Sequence, residues 1–145
     1  MNGQMLRDQI KRDEGTGPMK LGRFYPYQDT VGKITIGYGW NLTDNGIPSF
    51  IAERLLDFAI NETVSDLLKK FPWAAELDAV RFGVLLNMAY NLGVPRLAQF
   101  TRTLALVQAK DYAAAADAMM QSKWAGQVKG RALRLASQMR SGEWQ

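Results

Sequence analysis

The hydrophobic pattern of this 145-residue chain changes character near Pro48. Over residues 23–40, β-branched and aromatic residues lie between glycines, which predicts a small, twisted antiparallel sheet. From Pro48 onward, apolar residues recur about every 3.6 positions, which predicts a series of helices. The sequence therefore predicts an α+β fold. We expect a small N-terminal lobe with a short antiparallel β-sheet, a larger, mostly α-helical C-terminal lobe, and a cleft between them.

The length suits a single domain, which we predict over residues 1–145. Its α+β lobe is expected at approximately 13–60, and its helical lobe at 70–145 together with an N-terminal helix at 2–12. Residues 78–91 are apolar nearly all round, which is typical of a helix buried in the middle of a helical lobe. Two glycines and a proline predict a loop at 16–22. Gly93 is expected to end one helix, Pro95 to begin the next, and Gly142 to end the last. The helices predicted between these points are 96–109, 111–121 and 129–140.

The chain contains no histidine and no cysteine. This composition excludes disulfides, thiolate chemistry, histidine-based triads and most zinc sites. Any acid–base chemistry must therefore use Asp, Glu, Lys or Tyr side chains.

The net charge of +4 is concentrated in the C-terminal third of the chain. Residues 1–95 hold ten Lys/Arg and eleven Asp/Glu, which gives 10 − 11 = −1, whereas residues 96–145 hold eight and three, which gives 8 − 3 = +5. Such a basic region suits an anionic partner such as nucleic acid, anionic lipid or an acidic cell-wall polymer, although a solvated helical surface is the commoner explanation. Nucleic acid is disfavoured, because no helix-turn-helix and no aromatic platform stands out.

The N-terminus lacks the uninterrupted apolar stretch of a signal peptide or membrane anchor. No later window approaches the roughly 20 apolar residues of a spanning helix. We therefore expect no stable membrane insertion, and a protein that stays in the cytoplasm of the cell that makes it.

Three short motifs carry the candidate chemistry: Asp13-Glu14-Gly15, the turn-like segment 27–32, and Thr35-Ile36-Gly37-Tyr38-Gly39. Two carboxyl groups that face one another across a cleft are what glycoside hydrolysis requires, and Glu14 and Asp29 could form such a pair. Each residue also has an ordinary structural explanation. Glu14 could be a solvated surface residue, Asp29 a turn residue and Thr35 a strand residue. These separate explanations do not predict that the three motifs occur together in this order.

In this order, the motifs resemble the phage-type lysozymes of glycoside hydrolase family 24. The resemblance continues through Asp78-Ala79-Val80-Arg81, Asn87-Met88, Phe100-Thr101, Ser122-Lys123-Trp124, Arg131-Ala132 and Gly142-Glu143-Trp144. One departure is the spacing between Glu14 and Asp29, which is several residues longer than the commonest spacing in the family. The additional chain corresponds to residues 16–22, a loop that could extend the rim of a cleft.

The resemblance implies a role for each matched residue. Glu14 matches the general acid that protonates the leaving oxygen, Asp29 the carboxylate that assists attack from the opposite face of the sugar, and Thr35 the residue that helps hold the attacking water. Family members invert the anomeric centre. The resemblance also assigns Arg131 to an orienting and structural pairing with the catalytic glutamate, although it could equally be a surface arginine. Tyr38, Asn91 and Phe100 match positions that line the sugar cleft, although Phe100 could instead be a core residue.

The function that the resemblance implies is that of an endolysin. Such an enzyme hydrolyses the β-1,4 bond between N-acetylmuramic acid and N-acetylglucosamine in peptidoglycan and needs no metal and no cofactor. It would act as a monomer on the wall in the periplasm, and it would depend on a holin-like membrane lesion for access.

Two alternatives remain open from the sequence. A lytic transglycosylase acts on the same bond with one Glu and leaves an anhydro product, but the presence of both Asp29 and Thr35 argues against it. A non-enzymatic cationic protein could instead disturb membranes or bind the wall through the basic helices at 111–140.

Overall fold

A computed structural model describes residues 3–145. The chain forms two compact units, the first ending at Glu53 and the second covering Arg54–Gln145. The first unit contains α1 (Gly3–Glu14), β1 (Met19–Lys20), β2 (Arg23–Phe24), β3 (Tyr27–Gln28), β4 (Ile34–Ile36), β5 (Trp40–Asn41) and the short helix α2 (Leu42–Asn45). Helix α3 (Ser49–Lys70) begins in the first unit and ends in the second. The predicted α+β class is confirmed.

Strands β3, β4 and β5 form the predicted antiparallel sheet, with β4 in the centre. Thr35 lies opposite Tyr27 on one side and opposite Asn41 on the other. It is 4% exposed and is the only buried residue among the described residues 3–53. The neighbouring strands β3 and β5 therefore hold Thr35 in position from both sides.

The expectation of a loop at 16–22 is only partly right, because residues 19–24 form an antiparallel hairpin of β1 and β2. Met19 pairs with Phe24 and Lys20 with Arg23, across a two-residue turn at Leu21 and Gly22. Both turn residues have a positive φ, 50° and 73°. A two-residue hairpin turn of this kind requires positive φ at both positions. Strands of two residues are too short to show an alternating pattern in the sequence.

Helix α1 lies in the first unit, whereas the prediction groups the helix at 2–12 with the helical lobe at 70–145. The physical reason is local contact, because Lys11 lies over the ring of Tyr38 and Glu14 reaches the backbone at Gly39. Asn2, the first residue of the predicted helix, lies outside the described residues. A single catalytic domain over 1–145 stays a prediction.

The second unit is helical. After α3 and a 3₁₀ turn (Pro72–Glu76), it contains α4 (Ala79–Leu92), α5 (Val94–Leu97), α6 (Thr101–Gln108), α7 (Tyr112–Met120), α8 (Lys123–Val128) and α9 (Gly130–Ser141). Helix α7 packs against α6 and α9, and α4 packs against α9. As predicted, the middle of α4 belongs to the core, where Val84, Leu85 and Met88 are fully buried.

The ends of these helices follow local side-chain chemistry. Asp78 caps α4 by accepting a hydrogen bond from the Arg81 amide, α4 ends at Gly93, and Pro95 lies in the first turn of α5. Gly142 ends α9 in the left-handed conformation. The predicted helix at 96–109 is wrong in its extent, because a turn at 98–100 separates α5 from α6, with the Phe100 amide bonded to the Leu97 carbonyl. Over residues 3–145, none of the helices combines the length and the apolar character needed to cross a bilayer.

Candidate active site

Asp29 begins a tight turn between β3 and β4. Its carbonyl accepts a hydrogen bond from the Gly32 amide at 3.1 Å, and its amide donates to the Lys33 carbonyl at 2.9 Å. Its carboxylate oxygen Oδ1 accepts from the amides of Val31 at 2.9 Å and Lys33 at 2.8 Å. Asp is favoured at the first position of such turns because its side chain can accept from backbone amides two or more residues later. The turn therefore orients the carboxylate and occupies only Oδ1.

The hydroxyl of Thr35 is oriented by the Lys33 carbonyl, which also takes part in the Asp29 turn. Thr35 Oγ1 donates to the Lys33 carbonyl at 3.2 Å, the same oxygen that accepts from the Asp29 amide. A hydroxyl that has donated its proton still has lone pairs to accept a hydrogen bond. The backbone of Lys33 thus ties Asp29 and Thr35 to one point of the sheet, and Thr35 can accept a bond from a water molecule.

Glu14 is the last residue of α1 and lies against the turn that follows β4. A Cβ added to Gly39 would lie 2.6 Å from Glu14 Oε2 and 3.1 Å from its carboxyl carbon. Gly39 has φ +81°, a conformation that residues with a side chain rarely adopt. A glycine at 39 therefore allows both the turn and the close approach of the Glu14 carboxyl group.

Glu14 and Asp29 consequently lie at opposite ends of β4. Asp29 pairs with Lys33 before the strand, and Glu14 contacts Gly39 after it. The three residues of β4, Ile34–Ile36, separate the two positions along the chain. Thr35 lies between these ends. The predicted roles of Glu14 as acid and Asp29 as base stay predictions.

Lys33 and Asp44 form a charged pair next to this region. Lys33 Nζ donates to Asp44 Oδ1 at 2.9 Å, and Asn41 Nδ2 donates to Asp44 Oδ2 at 2.8 Å. The hydrogen bond to Asp44, its charge and more weakly the charge of Asp29 raise the pKa of Lys33. The hydrogen bonds from Lys33 and then from Asn41 lower the pKa of Asp44. Both groups therefore stay charged near neutral pH, so neither is suited to proton transfer.

Tyr38 lies in the turn between Gly37 and Gly39 and is 40% exposed. Lys11 Nζ lies 5.0 Å from the centre of its ring, and the ring of Phe24 packs edge-on at 5.2 Å. Lys11 and Phe24 therefore hold the Tyr38 ring in place, next to the Gly39 backbone that Glu14 approaches. Part of the ring surface stays exposed to solvent. Its predicted contact with sugar stays a prediction.

Asn91 and Phe100, in the second unit, meet at Trp124. Asn91 Oδ1 accepts from Trp124 Nε1 at 2.9 Å, and the Phe100 ring packs edge-on against the Trp124 ring at 6.2 Å. Trp124 is 3% exposed and is therefore a packing residue. Phe100 and Trp124 line a cavity of about 640 Å³ that also includes Arg96, Arg102 and Lys123. No pattern in the sequence had indicated this cavity.

Arg131 is anchored on α4. Its Nε donates to Asn87 Oδ1 at 2.8 Å, and its Nη2 donates to the Asn87 carbonyl at 3.2 Å. Both residues line a mostly apolar pocket of about 350 Å³ with Tyr90 and Trp144. The two hydrogen bonds to Asn87 hold the Arg131 side chain in place within the second unit. Its pairing with Glu14 stays a prediction. Trp144 is 66% exposed, and its ring lies against Gly83 of α4, where an added Cβ would be 2.6 Å away.

Gly39→Ala tests the close contact between Gly39 and Glu14. Alanine is strained at φ +81°, and its Cβ would displace the carboxyl group of Glu14. We expect the free energy of unfolding to fall by about 1–2 kcal/mol. The activity predicted from the sequence, hydrolysis of peptidoglycan, is expected to fall by about 100-fold in kcat/KM. Thermal unfolding and turbidity loss of peptidoglycan suspensions measure the two effects.

Gly37→Ala is the matched control for Gly39→Ala. Gly37 has φ +66°, but no atom lies within 4 Å of an added Cβ. We expect a similar loss of stability with less than about a threefold loss of kcat/KM, because only the backbone strain is shared. Equal losses of activity in both variants would contradict a specific role for the Glu14 contact.

Comparison with known proteins identifies the family. The model of the phage lysozyme family matches residues 21–141. The chain belongs to the phage lysozyme family. It is therefore a glycoside hydrolase of the lysozyme type, and family membership implies hydrolysis of glycosidic bonds in peptidoglycan. Asp29 and Thr35 lie within the matched segment and Glu14 lies before it, so the assignment of Glu14 depends on its own motif and geometry.

Two similar proteins come from Dictyostelium discoideum. "Probable T4-type lysozyme 2" is 27% identical over an alignment of 167 positions, gaps included, which covers 94% of this chain and 94% of that protein. "Probable T4-type lysozyme 1" is 26% identical over an alignment of 172 positions, gaps included, with the same coverage of both chains. The similarity thus extends over almost the full length of both relatives.

Proposed function

We propose that this chain is a muramidase that cleaves the β-1,4 bond between N-acetylmuramic acid and N-acetylglucosamine, with Glu14 as general acid and Asp29 as general base. The observation that carries this proposal is the position of the two carboxyl groups at opposite ends of β4, with the Thr35 hydroxyl between them. Inverting glycosidases hold two carboxyl groups about 6.5–9.5 Å apart, which leaves room for a water molecule. The placement of Glu14 and Asp29 at different ends of β4 supports attack by a water molecule over direct attack by a carboxylate.

The reaction proceeds in one displacement. Protonated Glu14 gives its proton to the glycosidic oxygen as the bond from that oxygen to the anomeric carbon breaks. Water forms the new bond to the anomeric carbon from the opposite face and gives its proton to Asp29. The products are two sugar chains, and the enzyme ends with ionised Glu14 and protonated Asp29. A proton exchange with solvent restores both groups.

The hydrogen bonds around Asp29 and Thr35 support their assignment to water activation. Asp29 Oδ1 is already bound to two amides, and Oδ2 makes no hydrogen bond to any part of 3–145. Thr35 donates its only proton to the Lys33 carbonyl. A water molecule can therefore donate one proton to Asp29 Oδ2 and the other to Thr35 Oγ1, which leaves its own lone pair for the sugar.

We further propose that the enzyme acts as a monomeric endolysin released to the wall by a holin-like lesion. Membership of a family described as phage lysozymes supports this role. The net charge of +5 over residues 96–145 supports approach to an anionic wall, because opposite charges raise the rate of encounter.

The products of peptidoglycan digestion test the proposed reaction. We expect each cleavage to add one water to the products, and each new reducing end to appear first as the α-anomer, because inversion converts the β linkage. Mass spectrometry measures the added water, and proton NMR within the first turnovers measures the anomer.

Two sets of products would contradict the proposal in different ways. Anhydro-muramic ends without added water would identify a lytic transglycosylase. Hydrolysis that yields the β-anomer first would retain the muramidase activity but exclude water attack opposite the leaving group.

A further inference from the structure

The antiparallel ladder between β4 and β5 gives way to a side-chain contact at Ile34. The pairing ends with Thr35 of β4 opposite Asn41 of β5. Leu42, which would follow opposite Ile34 in such a ladder, begins α2 instead. The Ile34 amide donates to Thr43 Oγ1 at 2.8 Å. The Thr43 hydroxyl therefore supplies the acceptor that a longer β5 would have supplied.

This bond acts on the peptide that holds the two residues assigned to water activation. The Ile34 amide and the Lys33 carbonyl belong to one planar peptide unit, so the two groups can only turn together. The Lys33 carbonyl accepts from the Asp29 amide at 2.9 Å and from Thr35 Oγ1 at 3.2 Å. A fixed Ile34 amide therefore fixes the direction of the carbonyl to which Asp29 and Thr35 are bonded.

Helix α2, which carries Thr43, is tied to the sheet near both of its ends. Asp44 Oδ1 accepts from Lys33 Nζ at 2.9 Å, so α2 binds the side chain of Lys33 as well as its peptide. After the last turn of α2, the Gly46 carbonyl accepts from Trp40 Nε1 of β5 at 2.7 Å. These bonds hold the Thr43 hydroxyl in place beside β4.

We propose that Thr43 is a positioning residue for the attacking water. This inference rests on the proposed muramidase function. Thr43 holds the Ile34 amide, and the carbonyl on the other side of that peptide takes the proton of the Thr35 hydroxyl. The lone pairs of Thr35 Oγ1 are then left for the water, whose second proton goes to Asp29.

The direction of the Lys33 carbonyl matters because a hydroxyl group rotates toward whichever acceptor is available. If the peptide turns, Thr35 loses its acceptor and can donate to the water instead. That bond would occupy the lone pair with which the water attacks the sugar. The Thr43 contact therefore acts on the chemical step and not on the binding of the sugar.

Thr43→Val tests the proposal, because valine keeps the shape of threonine but offers no oxygen to the Ile34 amide. We expect kcat on solubilised peptidoglycan to fall about tenfold, with KM within about twofold of wild type. The backbone amides of Ile34 and Asp29 are expected to exchange their hydrogens with solvent at least about threefold faster. Enzyme kinetics and amide hydrogen exchange followed by NMR measure these effects.

Two further variants separate positioning from a general loss of stability. Thr43→Ser keeps the accepting hydroxyl and should keep kcat within about twofold of wild type. Asp111→Ala removes the cap of α7 in the second unit, where Asp111 Oδ1 accepts from the Ala114 amide at 3.2 Å. We expect Thr43→Val and Asp111→Ala each to lower the Tm by about 2–4 °C. Below their unfolding temperatures, only Thr43→Val should lower kcat.

The outcomes distinguish this inference from the proposed function. If Thr43→Val keeps the kcat of wild type, or if Thr43→Ser loses as much as Thr43→Val, the inference is wrong and the proposed function stands. Equal losses of kcat in Thr43→Val and Asp111→Ala would assign the effect to stability, which also overturns the inference.

Amide exchange gives a result that does not depend on activity. Unchanged exchange at the Asp29 amide in Thr43→Val would show that Thr43 does not hold this peptide, and the inference would be wrong whatever the enzyme cleaves. If wild type itself fails to hydrolyse peptidoglycan, the proposed function fails, and the role of Thr43 in water attack fails with it.

Discussion

Replacing Glu14 by Gln is expected to lower kcat/KM for peptidoglycan hydrolysis by about 10³-fold or more. Gln has the size of Glu but carries no acidic proton, so it cannot protonate the leaving oxygen. It also fits the same space against Gly39, where the Glu14 carboxyl group lies closest to the turn. The fold should therefore be unaffected, with a Tm within about 2 °C of wild type. Turbidity loss and thermal unfolding of the same preparation measure the two quantities.

Asp13→Asn is the matched control for Glu14→Gln. Asp13 is the adjacent carboxylate, and its side chain is 61% exposed. Within residues 3–145, its carboxylate accepts a single long bond of 3.4 Å, from Arg12. We expect its removal to change kcat/KM by less than about twofold. If both variants lose activity equally, net charge at the end of α1 matters and proton donation does not. Full activity of Glu14→Gln would remove Glu14 from the mechanism.

Much of the fold could be predicted from the sequence because its signals are local. Asp78, Pro95 and Gly142 act at helix ends through backbone geometry and hydrogen bonds within a few residues, and the structure has helix ends at each of them. The sheet at 23–40 followed from β-branched residues between glycines. Such signals can be recognised without knowing which elements pack against the helix or strand.

Contacts between distant residues could not be predicted in this way. The approach of Glu14 to Gly39 depends on where α1 lies against the sheet, and the bond from Trp124 to Asn91 depends on how α8 packs beside α4. Neither contact produces a periodic pattern of residues that could be recognised in the sequence. The sequence marks the glycine at 39 only as a turn residue, and the family resemblance rather than any spacing rule suggests Glu14 and Asp29 as a pair.

Asp29→Asn should separate the two roles of Asp29. Asn keeps an oxygen that can accept from the amides of Val31 and Lys33, so the turn between β3 and β4 should form normally. The amide nitrogen would replace Oδ2 and cannot take a proton from water. We expect kcat/KM to fall by about 10²–10⁴-fold, with a change in the free energy of unfolding below about 0.5 kcal/mol.

Asp29→Ala completes the test, because it removes the turn contacts as well as the base. Loss of the two amide acceptors is expected to reduce the free energy of unfolding by about 1–2 kcal/mol, with a loss of activity at least as large as in Asp29→Asn. If Asp29 is only a turn residue, Asp29→Asn keeps wild-type activity, and Asp29→Ala loses activity only in proportion to its loss of folded protein. Measuring both variants below their unfolding temperatures therefore distinguishes a carboxylate that shapes the turn from one that also activates water.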